Sequence, residues 1–146
     1  MSNKIKARVL LVDDEDDFLQ MLSERLKARG LVVDTVSSGE DAISQVEQHA
    51  YDAVIVDLSM PGIDGLETIR RIKEISSSAE VIMLTGHGSV ESSVEAMKLG
   101  AGDFLEKPVE MSTLLDKIGE AKDKRMLVLQ AESEAELDRI LKSRGW

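Results

Sequence analysis

Five short apolar runs, separated by stretches of helical periodicity, constrain this chain more than any other feature. They fall at residues 8–12, 32–36, 53–56, 81–84 and 103–105. The first, third and fourth contain Val9-Leu10-Leu11-Val12, Ala53-Val54-Ile55-Val56 and Val81-Ile82-Met83-Leu84. Near-continuous aliphatic strands are what a parallel sheet covered on both faces requires. The second and fifth runs are mixed, which places them nearer the sheet edges.

The intervening stretches carry helical stripes. Phe18, Leu19, Leu22 and Leu26 form the first, stopped by Gly30. Ala42, Ile43 and Val46 form the second, after the turn residues Ser37-Ser38-Gly39. Leu66, Ile69 and Ile72 form the third, opened by Asp64-Gly65. Val90, Val94 and Met97 form the fourth, with Ser89 as N-cap and Gly100 as stop. Leu114, Leu115, Ile118 and Ala121 begin the fifth. Strand and helix in alternation predict an α/β fold with a doubly wound parallel sheet. With five strands the expected order is the flavodoxin-like 2-1-3-4-5. Its functional crevice lies at the carboxyl ends of strands one and three.

Residues 1–121 are read as one domain and residues 122–146 as a helical C-terminal extension. Met126-Leu127-Val128-Leu129 is apolar, and Ser133 with Glu136 resembles a capping box. The register through Leu115, Ile118 and Leu129 then meets Glu132 and Glu136, so no heptad seam runs through the tail. The expectation is an extended fifth helix, a break near residues 130–133, and one further short helix.

The 146 residues suffice for one proper core. No apolar stretch approaches the roughly 20 residues of a membrane span, and no signal-peptide pattern opens the chain. With no cysteine there are no disulfides and no thiolate metal sites. The chain is read as cytoplasmic. Its net charge of −10 is uneven: residues 122–146 carry six basic against five acidic side chains, residues 1–121 twelve against twenty-three. Such a surface repels nucleic acid, and no basic cluster or helix-turn-helix pattern offsets it.

Four polar features collect at the strand ends. Asp13-Asp14-Glu15-Asp16-Asp17 follows the first run, Asp57 the third and Thr85 the fourth; Lys107 stands before Pro108, after the fifth. Clustered carboxylates repel unless a cation neutralises them. Mg²⁺ takes oxygen ligands, keeps several waters and binds phosphate. Lys107 adds a fixed positive charge able to pair with Asp57 and then with a phosphoryl oxygen, and Thr85 offers a hydroxyl. Phosphoryl transfer needs positioning, an in-line nucleophile and charge stabilisation; Asp57 is the expected nucleophile. Asp16 and Asp17 read as charges complementing the helix dipole, and Glu15 as a solvated surface acid.

The segments Val12-Asp13-Asp14, Val56-Asp57-Leu58-Ser59-Met60-Pro61-Gly62-Ile63-Asp64-Gly65, Leu84-Thr85-Gly86 and Phe104-Leu105-Glu106-Lys107-Pro108 resemble the receiver domain of bacterial two-component response regulators. The likeness covers about residues 7–121. Thr85-Gly86-His87-Gly88-Ser89 and Ala96-Met97-Lys98-Leu99-Gly100-Ala101 look most like the NtrC-type subgroup, whose receivers normally precede an ATPase and a DNA-binding domain. The chain has no G-x-x-x-x-G-K-[ST] loop and no room for either domain.

The resemblance implies that Asp57 accepts a phosphoryl group from a partner sensor histidine kinase or histidine phosphotransfer protein. It implies Mg²⁺ (or Mn²⁺) held by Asp14, Asp57 and the Ser59 carbonyl, with Asp13 helping through water. Lys107 would contact the phosphoryl group, and the Lys107-Pro108 bond would be cis. Thr85 and Phe104 would form the switch; the otherwise expected role of Phe104 is a core aromatic. Ser59 and His87 would tune phosphoryl lifetime. The face of the fourth helix, fifth strand and fifth helix, with the tail, would bind a partner or a second copy.

Other readings are weaker. A phosphatase of the haloacid-dehalogenase type places a second aspartate two residues after its nucleophile, where this chain has Ser59. A nucleotide-binding domain needs a glycine-rich loop where this chain has Asp13-Asp14-Glu15. A relay intermediate and a receiver belonging to a larger regulator both remain open.

Overall fold

The structure is a computed structural model that describes residues 6–57, 65–86 and 90–144, residues 90–93 by their backbone alone. Its elements run β1 (Arg8–Val12), α1 (Asp16–Ala28), β2 (Val32–Val36), α2 (Gly39–Gln48), β3 (Ala53–Asp57), α3 (Gly65–Ile75), β4 (Glu80–Thr85), α4 (Val90–Lys98), β5 (Asp103–Glu106) and α5 (Met111–Ser143). The strands form one parallel sheet in the order β2-β1-β3-β4-β5. This is the expected topology. Asp64 and Ser89, expected to open helices, lie outside the described residues.

Alternation along the central strands divides the core in two. Val9, Leu11, Ile55, Ile82 and Leu84 face one side, where α1 and α5 cover them with Leu22, Leu26, Leu114 and Ile118. Leu10, Val12, Val54, Val56, Val81 and Met83 face the other, under Val46, Ile69, Ile72 and Ala96 of α2, α3 and α4. All five residues of β3 are buried, whereas β2 buries only Val33 and β5 alternates between partly and fully exposed positions.

Helix termini follow local rules. Ser38 Oγ accepts from the Asp41 N–H and caps α2. α1 and α4 both end in a left-handed glycine, Gly30 (φ 91°) and Gly100 (φ 113°). Around each, the next two amides fold back onto the last turn: Gly30 N–H to Lys27 O and Leu31 N–H to Leu26 O, and likewise Gly100 to Met97 and Ala101 to Ala96.

Two differences from expectation bear on function. β3 and β4 extend one residue further than the apolar runs, so Asp57 and Thr85 are the last paired residues of their strands; Asp57 stands opposite Leu84 and Thr85 opposite Glu106. The tail has no break at residues 130–133. α5 is one 33-residue helix, roughly 50 Å long at 1.5 Å per residue. No glycine or proline interrupts residues 120–144, and polar pairs bridge successive turns: Gln130 to Glu134, Glu136 with Arg139, Asp138 with Lys142. Ser133 therefore lies in mid-helix rather than at a cap.

Candidate functional site

The carboxyl ends of β1 and β3 bring three carboxylates together. One oxygen each of Asp13, Asp14 and Asp57 lies within 4.8 Å of the others. Asp13 and Asp57 are only 1% and 3% exposed, while Asp14 faces solvent. The placement follows from strand geometry. Val12 is the last buried residue of β1, and the Asp13 N–H still bonds to Val36 O at 3.2 Å, so the backbone carries Asp13 to the rim before the chain turns. The Glu15 N–H closes that turn on Asp13 Oδ1 at 3.0 Å.

Lys107 completes the cluster from the β5–α5 connection. Its N–H donates to Thr85 O at 2.9 Å, and the Lys107-Pro108 bond is cis, as expected. Its ammonium lies 2.8 Å from Asp13 Oδ2, 3.3 Å from Glu15 Oε1 and 3.8 Å from Asp57 Oδ2. The order of partners differs from expectation: Asp13, not Asp57, is nearest. With Oδ1 fixed by the Glu15 amide, Oδ2 of Asp13 is the oxygen left for the lysine. Nζ also stands 4.5 Å from the centroid of the Phe18 ring. Burial pulls the Lys107 pKa down, but the Asp13 hydrogen bond and the charges of Asp13, Asp57 and Glu15 outweigh it and leave it above the ordinary lysine value.

Three carboxylates and one ammonium leave two negative charges on a largely buried patch. The donors are all oxygens. This set suits a hard divalent cation such as Mg²⁺. Both Asp13 oxygens already accept hydrogen bonds, one from the Glu15 amide and one from Lys107.

Thr85, 6% exposed, closes the rim from β4. Phe104 lies opposite Met83 in the β4–β5 pairing, and the residue is 41% exposed rather than part of the core. Ser59 and His87 lie outside the described residues. Glu15 and Phe18 are the contacts that sequence reasoning missed. The signal available was position: Glu15 lies in the β1–α1 turn and Phe18 in the first turn of α1, two and five residues after Asp13.

Beside Lys107, α1 and the β5–α5 connection enclose an open groove of about 470 Å³, lined by Phe18, Met21, Leu22, Arg25, Val109 and Met111.

Residues 9–119 match the family model described as the response regulator receiver domain. The C4-dicarboxylate transport transcriptional regulatory protein DctD of Pseudomonas aeruginosa is 39% identical over 125 residues, covering 86% of this chain and 27% of that protein. A response regulator receiver domain protein of Clostridium thermocellum superposes with a TM-score of 0.80 at 35% identity, covering 84% of this chain and 98% of that one. A protein titled adenylate cyclase from Rhodopirellula baltica gives 0.84 at 30% identity, covering 90% and 98%. The chain spans well under two thirds of the length of the curated relatives it matches.

Proposed function

The chain belongs to the response regulator receiver family of two-component systems, and on that premise we propose that Asp57 is its phosphoacceptor. The observation that carries this reading is the meeting of Asp57 with Asp13, Asp14 and Lys107 at the ends of β1, β3 and β5. The donor is a phosphohistidine of a sensor kinase or phosphotransfer protein. An Asp57 oxygen forms a bond to phosphorus as the P–N bond breaks; the electron pair stays on the imidazole, which takes up a proton. The product is an acyl phosphate on Asp57.

Asp14, Asp57 and the carbonyl of Ser59 would hold Mg²⁺ (or Mn²⁺), with Asp13 acting through water. The ion supplies positive charge that lets a phosphoryl group approach a carboxylate. Lys107 releases carboxylate oxygens for a phosphoryl oxygen, and the Thr85 hydroxyl donates to another. Movement of Thr85 opens space for the exposed Phe104 ring to turn inward, which alters the surface of α4, β5 and α5. Ser59 and His87 tune lifetime through their places two residues after Asp57 and Thr85. The groove beside Lys107 offers the donor protein an apolar seat next to the reacting carboxylate.

The altered face and the exposed Met126, Leu127 and Leu137 of α5 are the surfaces for a partner or a second copy. The chain acts in the cytoplasm, without direct contact with nucleic acid or membrane and without a catalytic output of its own. Among the described residues no helix is long and apolar enough to cross a membrane. Because related regulators are much longer, a second reading makes this the receiver of a larger NtrC-type transcriptional regulator; a relay step is the third. Incubation with Mg²⁺ and acetyl phosphate should add one phosphoryl group by intact-mass spectrometry, and Asp57→Asn should add none. Equal labelling of the variant overturns the assignment.

A further inference from the structure

Glu15 was expected to be a solvated acid, yet its carboxylate stands 3.3 Å from Lys107 Nζ, closer than the 3.8 Å separating that nitrogen from Asp57. We propose that Glu15 is a positioning residue that holds the Lys107 ammonium away from Asp57 until a phosphoryl group arrives. The inference rests on the phosphoacceptor reading of Asp57 and assigns a role to a side chain outside the carboxylate cluster.

Three observations support it. Lys107 is gripped from the β1–α1 side by two acids: Asp13, 1% exposed and fixed by the Glu15 amide, and Glu15 itself, whose side chain is 65% exposed. The Phe18 ring lies 4.5 Å from Nζ on the same side, so Asp13, Glu15 and Phe18 together draw the lysine toward α1. Asp57, at the end of β3, is the weakest of the three carboxylate contacts by distance.

The two acids differ in how easily they let go. Asp13 is buried, and losing the lysine would strand its charge. Glu15 is largely hydrated, so water takes over its carboxylate at little cost. When a phosphoryl group adds negative charge at Asp57, the lysine exchanges Glu15 for a phosphoryl oxygen and keeps Asp13. Glu15 thus sets how readily the lysine is released.

The test compares wild type, Glu15→Gln and Asp16→Asn. The last removes one exposed acid at the neighbouring start of α1, outside the set of acids that meet Lys107, and so controls for simple charge repulsion. The first readout needs neither metal nor phosphoryl donor: in a crystal structure of metal-free Glu15→Gln, Lys107 Nζ should move to direct contact with Asp57. The second is the rate of phosphoryl acquisition from acetyl phosphate with Mg²⁺, followed by intact mass. Glu15→Gln should be faster by about two- to fivefold, the range of an exposed ion pair, and Asp16→Asn should match wild type. An unmoved lysine, or equal acceleration in both variants, overturns the proposal. Failure of wild type to take up phosphate would instead overturn the phosphoacceptor assignment, leaving the lysine geometry to be judged by the crystal structure.

Discussion

Arg125 and Asp52, 73 positions apart in sequence, meet at 3.0 Å at the end of the sheet opposite the carboxylate cluster. Both side chains are largely buried, at 19% and 15% exposure. Asp52 also accepts the Arg8 N–H at 2.9 Å, so one carboxylate ties the start of β1 to the last docked turn of α5. Lys122 adds a bond to the Lys6 carbonyl. Beyond this clamp every residue of α5 is exposed except the half-buried Val128. Arg125→Met keeps a helix-forming residue and removes the ion pair. It should cost about 1–2 kcal/mol in urea unfolding and raise amide exchange through residues 122–130 while leaving β1 and β3 protected.

Tyr51 sits above the same end of the sheet. Its hydroxyl donates to Asp34 Oδ2 at 2.7 Å, Gln45 Oε1 stands 3.0 Å from the same oxygen, and Arg8 lies 5.2 Å from its ring centroid. Burial, and then the Asp34 hydrogen bond and charge, push the phenol well above the ordinary tyrosine range. A raised folded pKa gives stability that is complete below the unfolded value near 10 and is lost as pH climbs through the folded one. Tyr51 is the only tyrosine in the chain, so tyrosinate absorbance reports it alone. No tyrosinate should form in the native protein between about pH 10 and 11; it should appear together with unfolding. Tyr51→Phe should lose about 1 kcal/mol at neutral pH.

The same network shows why some of this molecule was legible in sequence and some was not. The central strands were readable because burial on both faces leaves Val, Ile and Leu as nearly the only fitting residues. The placement of Asp57 and Thr85 at the carboxyl rim was readable because each directly follows such a run, and that of Lys107 because it stands just after the fifth, mixed run. The partner of Lys107 was not, because it depends on which Asp13 oxygen the Glu15 amide occupies, a matter of one local turn. The unbroken course of α5 was equally hidden. Past Arg125 its continuity rests on helix propensity and solvated i, i+3 and i, i+4 pairs, and its apolar residues, among them Leu127, Leu137 and Ile140, stay exposed and mark no packed face. Ser133 and Glu136 then mimic a cap that the backbone does not use.

Gly100 offers a test of the turn that delivers β5. It ends α4 at φ 113°, and a Cβ added there would meet Lys73 Cγ at 3.0 Å. Lys73 cannot swing aside freely, because Nζ holds Ser77 O at 2.9 Å and Ala79 O at 2.8 Å, beyond the end of α3. Gly100→Ala should therefore cost about 1–2 kcal/mol from backbone strain alone, with further loss where Lys73 is displaced. Combining it with Lys73→Ala should recover the steric part but not the strain. Urea denaturation of the two single variants and the double variant measures the coupling.

Metal linkage separates the two aspartates of the β1–α1 turn. Asp14 is exposed and has carboxylate neighbours, so in metal-free protein its negative charge is a burden. Asp14→Asn should leave thermal stability unchanged or slightly raised without Mg²⁺, and should remove most of the Mg²⁺-dependent gain. For wild type that gain grows with the logarithm of concentration, reaching about 2.7 kcal/mol at a hundred times the dissociation constant. Asp13 behaves in the opposite way. It is buried, accepts the Glu15 amide and carries the shortest bond from Lys107. Asp13→Ala strands a half-buried ammonium and opens the turn, so it should destabilise the metal-free protein by about 3 kcal/mol. Thermal melts of both variants across a Mg²⁺ series distinguish the roles. If Asp13→Ala lost only the Mg²⁺ response and kept metal-free stability, Asp13 would be a direct ligand and not the anchor of Lys107.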